Sequence, residues 1–150
     1  MNRRRFIALA GVAGAGTVAG CLGGGGDGPP EEPVYDDWFG PVDHFDGFDD
    51  MTDTAVVEVA VGNGPQGWRF TPPAVTVTPV TTVRFTWTGY GGKHNVQDAD
   101  ENWENPAGLV ETAGHEWERS FDEPGTQLYR CRPHSNLGMR GAVFVDGTVE

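Results

Sequence analysis

Residues 131–139 read Cys131-Arg132-Pro133-His134-Ser135-Asn136-Leu137-Gly138-Met139 and place a thiol, an imidazole and a thioether in one short loop. Two histidines and one cysteine with a weak axial methionine form the blue-copper arrangement, because soft sulfur ligands select Cu(I) while imidazole also suits Cu(II). The loop supplies three of these four ligands. It therefore predicts a copper site that needs one further histidine from elsewhere in the chain.

The candidate for that histidine is His94, which lies in the stretch Gly91-Gly92-Lys93-His94-Asn95-Val96, far upstream of the loop. The other two histidines are His44, in an acidic aromatic segment, and His115, in a predicted turn. We expect both of these to be surface or capping groups, and each remains open as an alternative ligand. A metal-free domain with a chance Cys, His and Met is the remaining alternative.

The spacing Cys-x2-His-x4-Met with a distant upstream His-Asn resembles that of plastocyanin-like cupredoxins, and most closely the halocyanins of halophilic archaea. The resemblance covers roughly residues 34–150. It implies a Greek-key β-sandwich that holds one copper ion. By the same resemblance, the metal ligands are His94, Cys131, His134 and Met139.

Two neighbours of these ligands are predicted to support the site without binding the metal. In the family, the residue after the first histidine helps to brace the loop and its thiolate, which by resemblance maps to Asn95. Pro133 lacks a backbone N–H and has a fixed φ, so it is expected to make the loop more rigid.

The composition favours one strand-rich domain. A chain of 150 residues is long enough for a single core, and its 23 Gly and 11 Pro indicate turns rather than helices. The formal net charge of -12 argues against partners such as nucleic acid or anionic lipid surfaces. The same acidity is typical of proteins from high-salt cells.

The first 20 residues predict an export signal, because three arginines precede an apolar run. Arg3-Arg4-x-Phe6-Ile7 resembles a twin-arginine signal, although an ordinary charged start also fits. Val18-Ala19-Gly20-Cys21 resembles a lipobox, so we expect Cys21 to carry a lipid; a disulfide with Cys131 is the alternative. Residues 21–33 are rich in Gly and Pro and predict a flexible linker between this anchor and the domain.

Alternating apolar and polar side chains predict six or seven short strands between turn residues. Six of them can be given bounds, at residues 55–61, 74–78, 81–88, 116–121, 126–131 and 141–146. Residues 35–54 have no such period and are expected to form a loop packed by its aromatic rings, and residues 99–106 leave a turn of helix open. The fold class predicted is therefore an all-β sandwich, with the metal loop joining its last two strands.

The resemblance implies an electron carrier that cycles between Cu(II) and Cu(I), and no enzymatic activity. Its expected partners are a redox donor and acceptor at the membrane. The domain is expected to be a monomer, lipid-anchored on the extracytoplasmic face. Extracytoplasmic copper storage or delivery is the alternative function. A copper enzyme would need more histidines than the four in this chain.

Overall fold

The computed structural model describes residues 32–147. The predicted signal (residues 1–20), the predicted lipid site Cys21 and nearly all of the predicted linker (residues 21–33) lie outside that range, so they remain predictions. Among residues 32–147, no helix is both long enough and apolar enough to cross a membrane.

Within residues 32–147, nine strands form two mixed sheets that pack face to face. The strands are β1 Asp49–Asp50, β2 Val56–Asn63, β3 Arg69–Thr71, β4 Ala74–Val77, β5 Thr81–Trp87, β6 Gln97–Asp98, β7 Glu116–Phe121, β8 Gly125–Arg130 and β9 Arg140–Val145. One sheet has the order β1-β4-β9-β8-β6 and the other has the order β3-β2-β5-β7. This confirms the predicted all-β sandwich.

Strands β2 and β5 form the centre of the four-stranded sheet and fill the core from one side. They run parallel, and their register pairs Val57 with Val83 and Val59 with Phe85. Since successive side chains point to opposite faces, all four of these side chains point inward, and each is at most 2% exposed. Fully burying one such side chain contributes roughly 1.5–3 kcal/mol, which is why the alternation decides the orientation of the sheet.

Strand β9 is central in the five-stranded sheet, where it pairs with β4 in parallel and with β8 antiparallel. The loop of residues 131–139, called the ligand loop below, connects β8 to β9 at one end of the sandwich. The sequence predicted this placement, and the structure confirms it.

The outer face of the five-stranded sheet is covered by residues 35–48. Their rings form a second apolar cluster on the small side chains of Ala74 and Ala142, with Leu128 beside them. The expectation of an irregular segment packed by its aromatic rings is therefore confirmed for residues 35–48, whereas Asp49–Asp50 form strand β1. The small size of the two alanines leaves room for this layer.

Strands β1, β3 and β6 were not predicted from the sequence. Each is two or three residues long, which is too short for alternation to be recognised. The turn of helix left open for residues 99–106 is not formed; the chain there makes turns and one isolated bridge between Gln97 and Glu104. A helical turn of the 3-10 type lies instead in the ligand loop, at Arg132–Leu137.

Candidate metal centre

Backbone hydrogen bonds hold His94 in position. It forms an isolated bridge with Val110, in which each residue donates its N–H to the carbonyl of the other at 2.9 Å. The carbonyl of His94 also accepts a hydrogen bond of 3.0 Å from the indole Nε1–H of Trp87 in β5. The residue is fully buried, so both the position and the direction of its imidazole are set by the sandwich.

The ligand loop is closed at its base by a hydrogen bond of 3.0 Å from the N–H of Cys131 to the carbonyl of Met139. Between them, the 3-10 helix begins with a proline in its first turn, because Pro133 has no N–H to satisfy there. The helix ends at Gly138, which has a φ of 101° that favours glycine. The loop is therefore a short, hydrogen-bonded unit.

Three donor atoms from these two segments form a compact triangle. The Nδ1 atoms of His94 and His134 are 3.2 Å apart. The Sγ atom of Cys131 lies 3.6 Å from the first and 3.4 Å from the second. His94 and Cys131 are fully buried, whereas His134 is half-buried. The structure thus brings together the three residues that the sequence predicted, and leaves one of them at the surface.

The hydrogen bond made by Nε2 sets the orientation of the His94 ring. Its Nε2 atom lies 2.6 Å from the carbonyl oxygen of Tyr90. A carbonyl oxygen can only accept, so Nε2 carries the proton and Nδ1 keeps its lone pair facing Cys131 and His134. Such a hydrogen bond to the far nitrogen is how proteins fix the tautomer of a metal-binding histidine.

Burial sets the protonation of the metal-free site. It raises the pKa of the Cys131 thiol to about 11, although hydrogen bonds from the backbone of Asn95 and His134 act in the opposite direction. Burial lowers the pKa of His94, with a smaller contribution from the adjacent His134, and it lowers the pKa of His134 as well. At neutral pH the site therefore offers two neutral imidazoles and a thiol that must release its proton to bind a metal.

The triangle fits a transition-metal ion of ordinary bond lengths. For sides of 3.2, 3.4 and 3.6 Å, the equidistant point lies about 2 Å from each atom, which is the length of an imidazole–metal bond. One thiolate with two imidazoles suits copper in both of its oxidation states. The donor set and its spacing therefore fit one copper ion.

Met139, the predicted axial ligand, is fully buried at the end of the same loop. Its backbone is placed by two hydrogen bonds, one to the carbonyl of His134 at 3.2 Å and one from Cys131 at 3.0 Å. These contacts put the residue beside the triangle, and its role as a weak sulfur ligand remains a prediction.

Asn95 connects the two ligand segments, as the resemblance implied for the residue after His94. Its Oδ1 atom accepts a hydrogen bond of 2.8 Å from the N–H of Arg132, and its Nδ2 donates to Glu104 at 3.0 Å. Because the side chain of Asn95 is fully buried, the surrounding residues hold it in position for this connection.

The alternative ligands His44 and His115 lie outside the cluster. The Nε2 atom of His44 lies 3.0 Å from the carbonyl oxygen of Phe70. The ring of His115 packs edge-on against Trp87, with centroids 4.9 Å apart. Among the described residues, the one group of three or more potential metal ligands with donor atoms in range is His94, Cys131 and His134. The prediction of His94 over its two rivals agrees with this geometry.

Trp68 is a neighbour of the site that the sequence did not reveal. Its indole stacks on the imidazole of His134, with centroids 5.3 Å apart and ring planes 17° apart. Its Nε1–H donates to the carbonyl of Gly91 at 3.1 Å, and a Cβ on Gly67 would lie 2.6 Å from the Gly91 nitrogen. The two loops cross closely at these glycines, and no local sequence pattern indicates such a crossing.

Comparison with known proteins agrees with this site. Residues 56–146 match the model of copper-binding proteins of the plastocyanin/azurin family. A halocyanin from Natronomonas pharaonis is 37% identical over 165 aligned residues, which cover 97% of this chain and 98% of the halocyanin. Plastocyanin A/B from Petroselinum crispum is 32% identical over 100 residues, which cover 59% of this chain and 99% of that protein.

Among solved structures, the oxidized form of plastocyanin from Dryopteris crassirhizoma is 22% identical, covers 59% of this chain and 99% of its own, and has a TM-score of 0.48. The family assignment depends on the two sequence matches, which extend over most of the chain. The chain belongs to the copper-binding plastocyanin/azurin family.

Proposed function

We propose that this chain carries single electrons between redox partners, with a bound copper ion supplying the Cu(II)/Cu(I) couple. The observation that carries the proposal is the triangle of one thiol and two imidazoles, with donor atoms 3.2 to 3.6 Å apart. The three residues of the triangle, together with Met139, would hold the ion.

The residues around the triangle favour fast electron exchange because they leave little to rearrange. The Nε2–H bond to Tyr90 holds the imidazole of His94. The base of the ligand loop is closed by the bond between Cys131 and Met139. Ligands locked by such outer contacts keep one geometry in both oxidation states, which keeps the reorganisation energy small.

Electrons would enter and leave at the edge of His134, which is the one member of the triangle that reaches the surface. Exposed apolar side chains occur in the segments that carry the ligands: Tyr90 is 66% exposed and Leu137 is 54% exposed. Together with Trp68, stacked on the same imidazole, they offer a partner short-range apolar contact. In near-molar salt the Debye length is roughly 3 Å, so such contact would dominate docking.

An enzymatic role is not part of the proposal. A copper enzyme of this fold would require a further metal site with its own histidines. The two histidines outside the triangle, His44 and His115, contact Phe70 and Trp87 and belong to no cluster of potential metal ligands among the described residues. The proposed role is therefore that of a carrier that exchanges electrons with a donor and an acceptor.

The proposed location is the extracytoplasmic face of the membrane, with a lipid on Cys21 and residues 21–33 as a tether. The N–H of Val34 donates to Oγ1 of Thr126 at 2.9 Å, at the beginning of β8. Cys131 follows five residues later, and at about 3.3 Å per strand residue this is about 17 Å away. A tether attached there leaves the His134 edge free to meet a partner.

The lipid anchor is tested by the variant Cys21→Ser. If the proposal holds, this variant should move from the membrane fraction to the soluble fraction of cells, whereas Cys131→Ser should remain in the membrane fraction. Equal membrane association of the two variants would remove the lipid anchor from the proposal.

The electron-carrier function is tested by the visible absorption spectrum of the protein with one equivalent of Cu(II). We expect an intense thiolate-to-copper band that ascorbate bleaches and that Cys131→Ser lacks. A colourless protein that binds exchangeable Cu(I) would support copper storage or delivery instead. A protein without stoichiometric copper would contradict both functions.

A further inference from the structure

Residues 35–48 contact the ligand loop although they precede the residues that match the family model, which begin at 56. They cover the outer face of the five-stranded sheet. From there, they reach the end of the loop that carries Met139. These contacts are extensive enough to suggest a role for the segment at the metal centre.

The first contact is made by Arg140, which directly follows Met139 and begins β9. Its Nε–H donates to the carbonyl and to the hydroxyl of Ser135, at 3.0 and 3.2 Å. Its Nη1 donates to the carbonyl of Trp38 at 3.0 Å, and its Cζ lies 4.7 Å from the centroid of the Trp38 ring. One guanidinium thus joins the 3-10 helix of the loop to the segment.

Two further contacts surround this arginine. The indole Nε1–H of Trp38 donates to the carbonyl of Gly141 at 3.0 Å. On the loop side, a Cβ built on Gly138 would lie 2.5 Å from the carbonyl oxygen of Pro41. Residue 138 must therefore be glycine for close packing as well as for its positive φ. The segment thus presses on the residue that immediately precedes Met139.

The segment is itself a packed unit. The rings of Phe39 and Phe45 stack with centroids 3.9 Å apart, and Tyr35 and Phe48 pack around them at 5.5 to 6.1 Å. Such a cluster resists displacement because each ring is held by several others. A contact between this packed segment and the loop therefore limits movement of the loop relative to the sheet.

We propose that residues 35–48 act as a brace that holds the Met139 end of the ligand loop in place. Arg140 and Trp38 are then positioning residues of the metal centre, since neither is one of its ligands. Asn95, bonded to Arg132, and Trp68, stacked on His134, also attach the loop to the sandwich. The brace adds an attachment at the other end of the loop, beside Met139, and restricts the distance between Met139 and the three-donor triangle. The effect on the copper ion rests on the proposed function, whereas the effect on the loop does not.

The test compares Arg140→Gln with Arg84→Gln by amide hydrogen exchange of the metal-free protein. Arg84 is a matched control because it also makes several hydrogen bonds, to Glu58 and Glu118, but lies on the four-stranded sheet. The informative amides are those of Gly138 and Met139, which are bonded to Ser135 and His134. Loss of even one charged hydrogen bond should speed their exchange by about tenfold or more in Arg140→Gln. In Arg140→Gln, the amides of β5 should be affected less than those of Gly138 and Met139, because β5 lies in the other sheet.

Trp38→Phe is the second variant, because it keeps the aromatic packing and the carbonyl that accepts from Arg140 while removing the bond to Gly141. We expect a smaller but still local acceleration of exchange at Gly138 and Met139. A role in general stability alone would accelerate all slow amides together. The proposed brace would be overturned by uniform acceleration of all slow amides. It would also be overturned by equal acceleration at Gly138 and Met139 in Arg140→Gln and Arg84→Gln.

The copper-loaded protein supplies the second readout. Arg140→Gln should shift the position or intensity of the thiolate-to-copper bands and the reduction potential, whereas Arg84→Gln should leave both at their original values. If the protein binds no copper but the exchange is locally accelerated, the brace stands and the electron-carrier function fails. If the protein is blue and all readouts match those of Arg84→Gln, the brace fails and the function stands.

Discussion

The side-chain oxygen of Asn95 accepts a hydrogen bond of 2.8 Å from the backbone N–H of Arg132. Each of these residues directly follows a member of the donor triangle, since His94 precedes one and Cys131 precedes the other. The two ligand segments come from distant parts of the chain, and this bond sets the distance between them. Asn95 is fully buried, so its side chain is held in one position to accept this bond.

Replacing Asn95 with Ala should therefore destabilise the protein and alter the metal site together. The Arg132 N–H loses its acceptor in a partly buried position, which costs about 1–3 kcal/mol. We expect the free energy of unfolding of the metal-free protein, measured in urea, to fall by this amount and the thiolate-to-copper band to change. Glu104→Gln is the control, since it keeps an oxygen for Asn95 Nδ2 and leaves the Arg132 bond in place. Equal effects of the two substitutions would contradict this role.

The sequence predicted most of the fold because its long strands alternate apolar and polar residues. Val57, Val59, Val83 and Phe85 recur at every second position and all point inward. Strand β3 contains a buried Phe70 between Arg69 and Thr71, and three residues do not establish a period. Its strand conformation depends on pairing with β2, which is a tertiary contact that local patterns do not report.

The metal triangle was predictable because three of the four candidate ligands are close together in the chain. Trp68 was not, because 66 residues separate it from His134 and a lone tryptophan before a strand has no distinctive spacing. The contact of Arg140 with Trp38 spans an even longer separation. Both contacts arise from the way loops meet at one end of the sandwich, and the sequence alone does not specify that meeting.

The metal-free protein should lose stability above about pH 9. Burial raises the pKa of the Cys131 thiol to about 11 from an ordinary value of 9.0. Between these pH values the unfolded chain releases the proton while the folded chain keeps it, so folding is weakened as the pH rises. One group shifted by two units accounts for roughly 2–3 kcal/mol. Chemical denaturation at a series of pH values measures the loss.

The comparison that isolates this thiol is Cys131→Ser, which has no group titrating in that range. The alkaline loss of stability should be smaller in this variant by the amount given above, because the thiol is missing. Tyr129, whose pKa is also raised by burial, contributes equally to both proteins and does not affect the difference. Both proteins should also weaken below about pH 6.5, since the pKa values of His94 and His134 are lowered and the unfolded chain binds protons first. Identical alkaline curves would show that the thiol does not titrate as the structure implies.

Removing the indole that stacks on His134 should loosen that imidazole. Trp68→Ala eliminates a ring contact worth about 0.5–1.5 kcal/mol, and Trp68→Phe keeps a ring there. Both substitutions lose the hydrogen bond to Gly91, so the difference between them reports the stacking alone. We expect slower electron self-exchange and greater motion of the His134 side chain, by NMR relaxation, in the alanine variant only. Matching behaviour of the two variants would exclude a role for the stacked ring.

Two cations next to the metal ligands should assist docking of an anionic redox reagent. Lys93 precedes His94 and Arg132 follows Cys131, and both are exposed. Within residues 32–147, neither forms an ion pair, whereas Arg84 pairs with Glu58 and Glu118. We expect Lys93→Gln to slow the oxidation of the Cu(I) protein by hexacyanoferrate(III), by roughly fivefold at most, since a contact charge pair in water is worth about 1 kcal/mol. The return of the blue band measures the rate.

The salt dependence of the oxidation rate distinguishes this contact effect from the long-range effect of the net charge. Lys93→Gln and Arg84→Gln make the same change to the net charge of -12, so any long-range effect must be equal in both. At 0.01 M salt the Debye length is about 30 Å, and both variants should react more slowly than the original protein. At 1 M salt it is about 3 Å, so only a cation that touches the reagent still matters. A slower rate that persists for Lys93→Gln and disappears for Arg84→Gln would place electron exchange at the His134 edge, whereas equal rates at high salt would move it elsewhere on the surface.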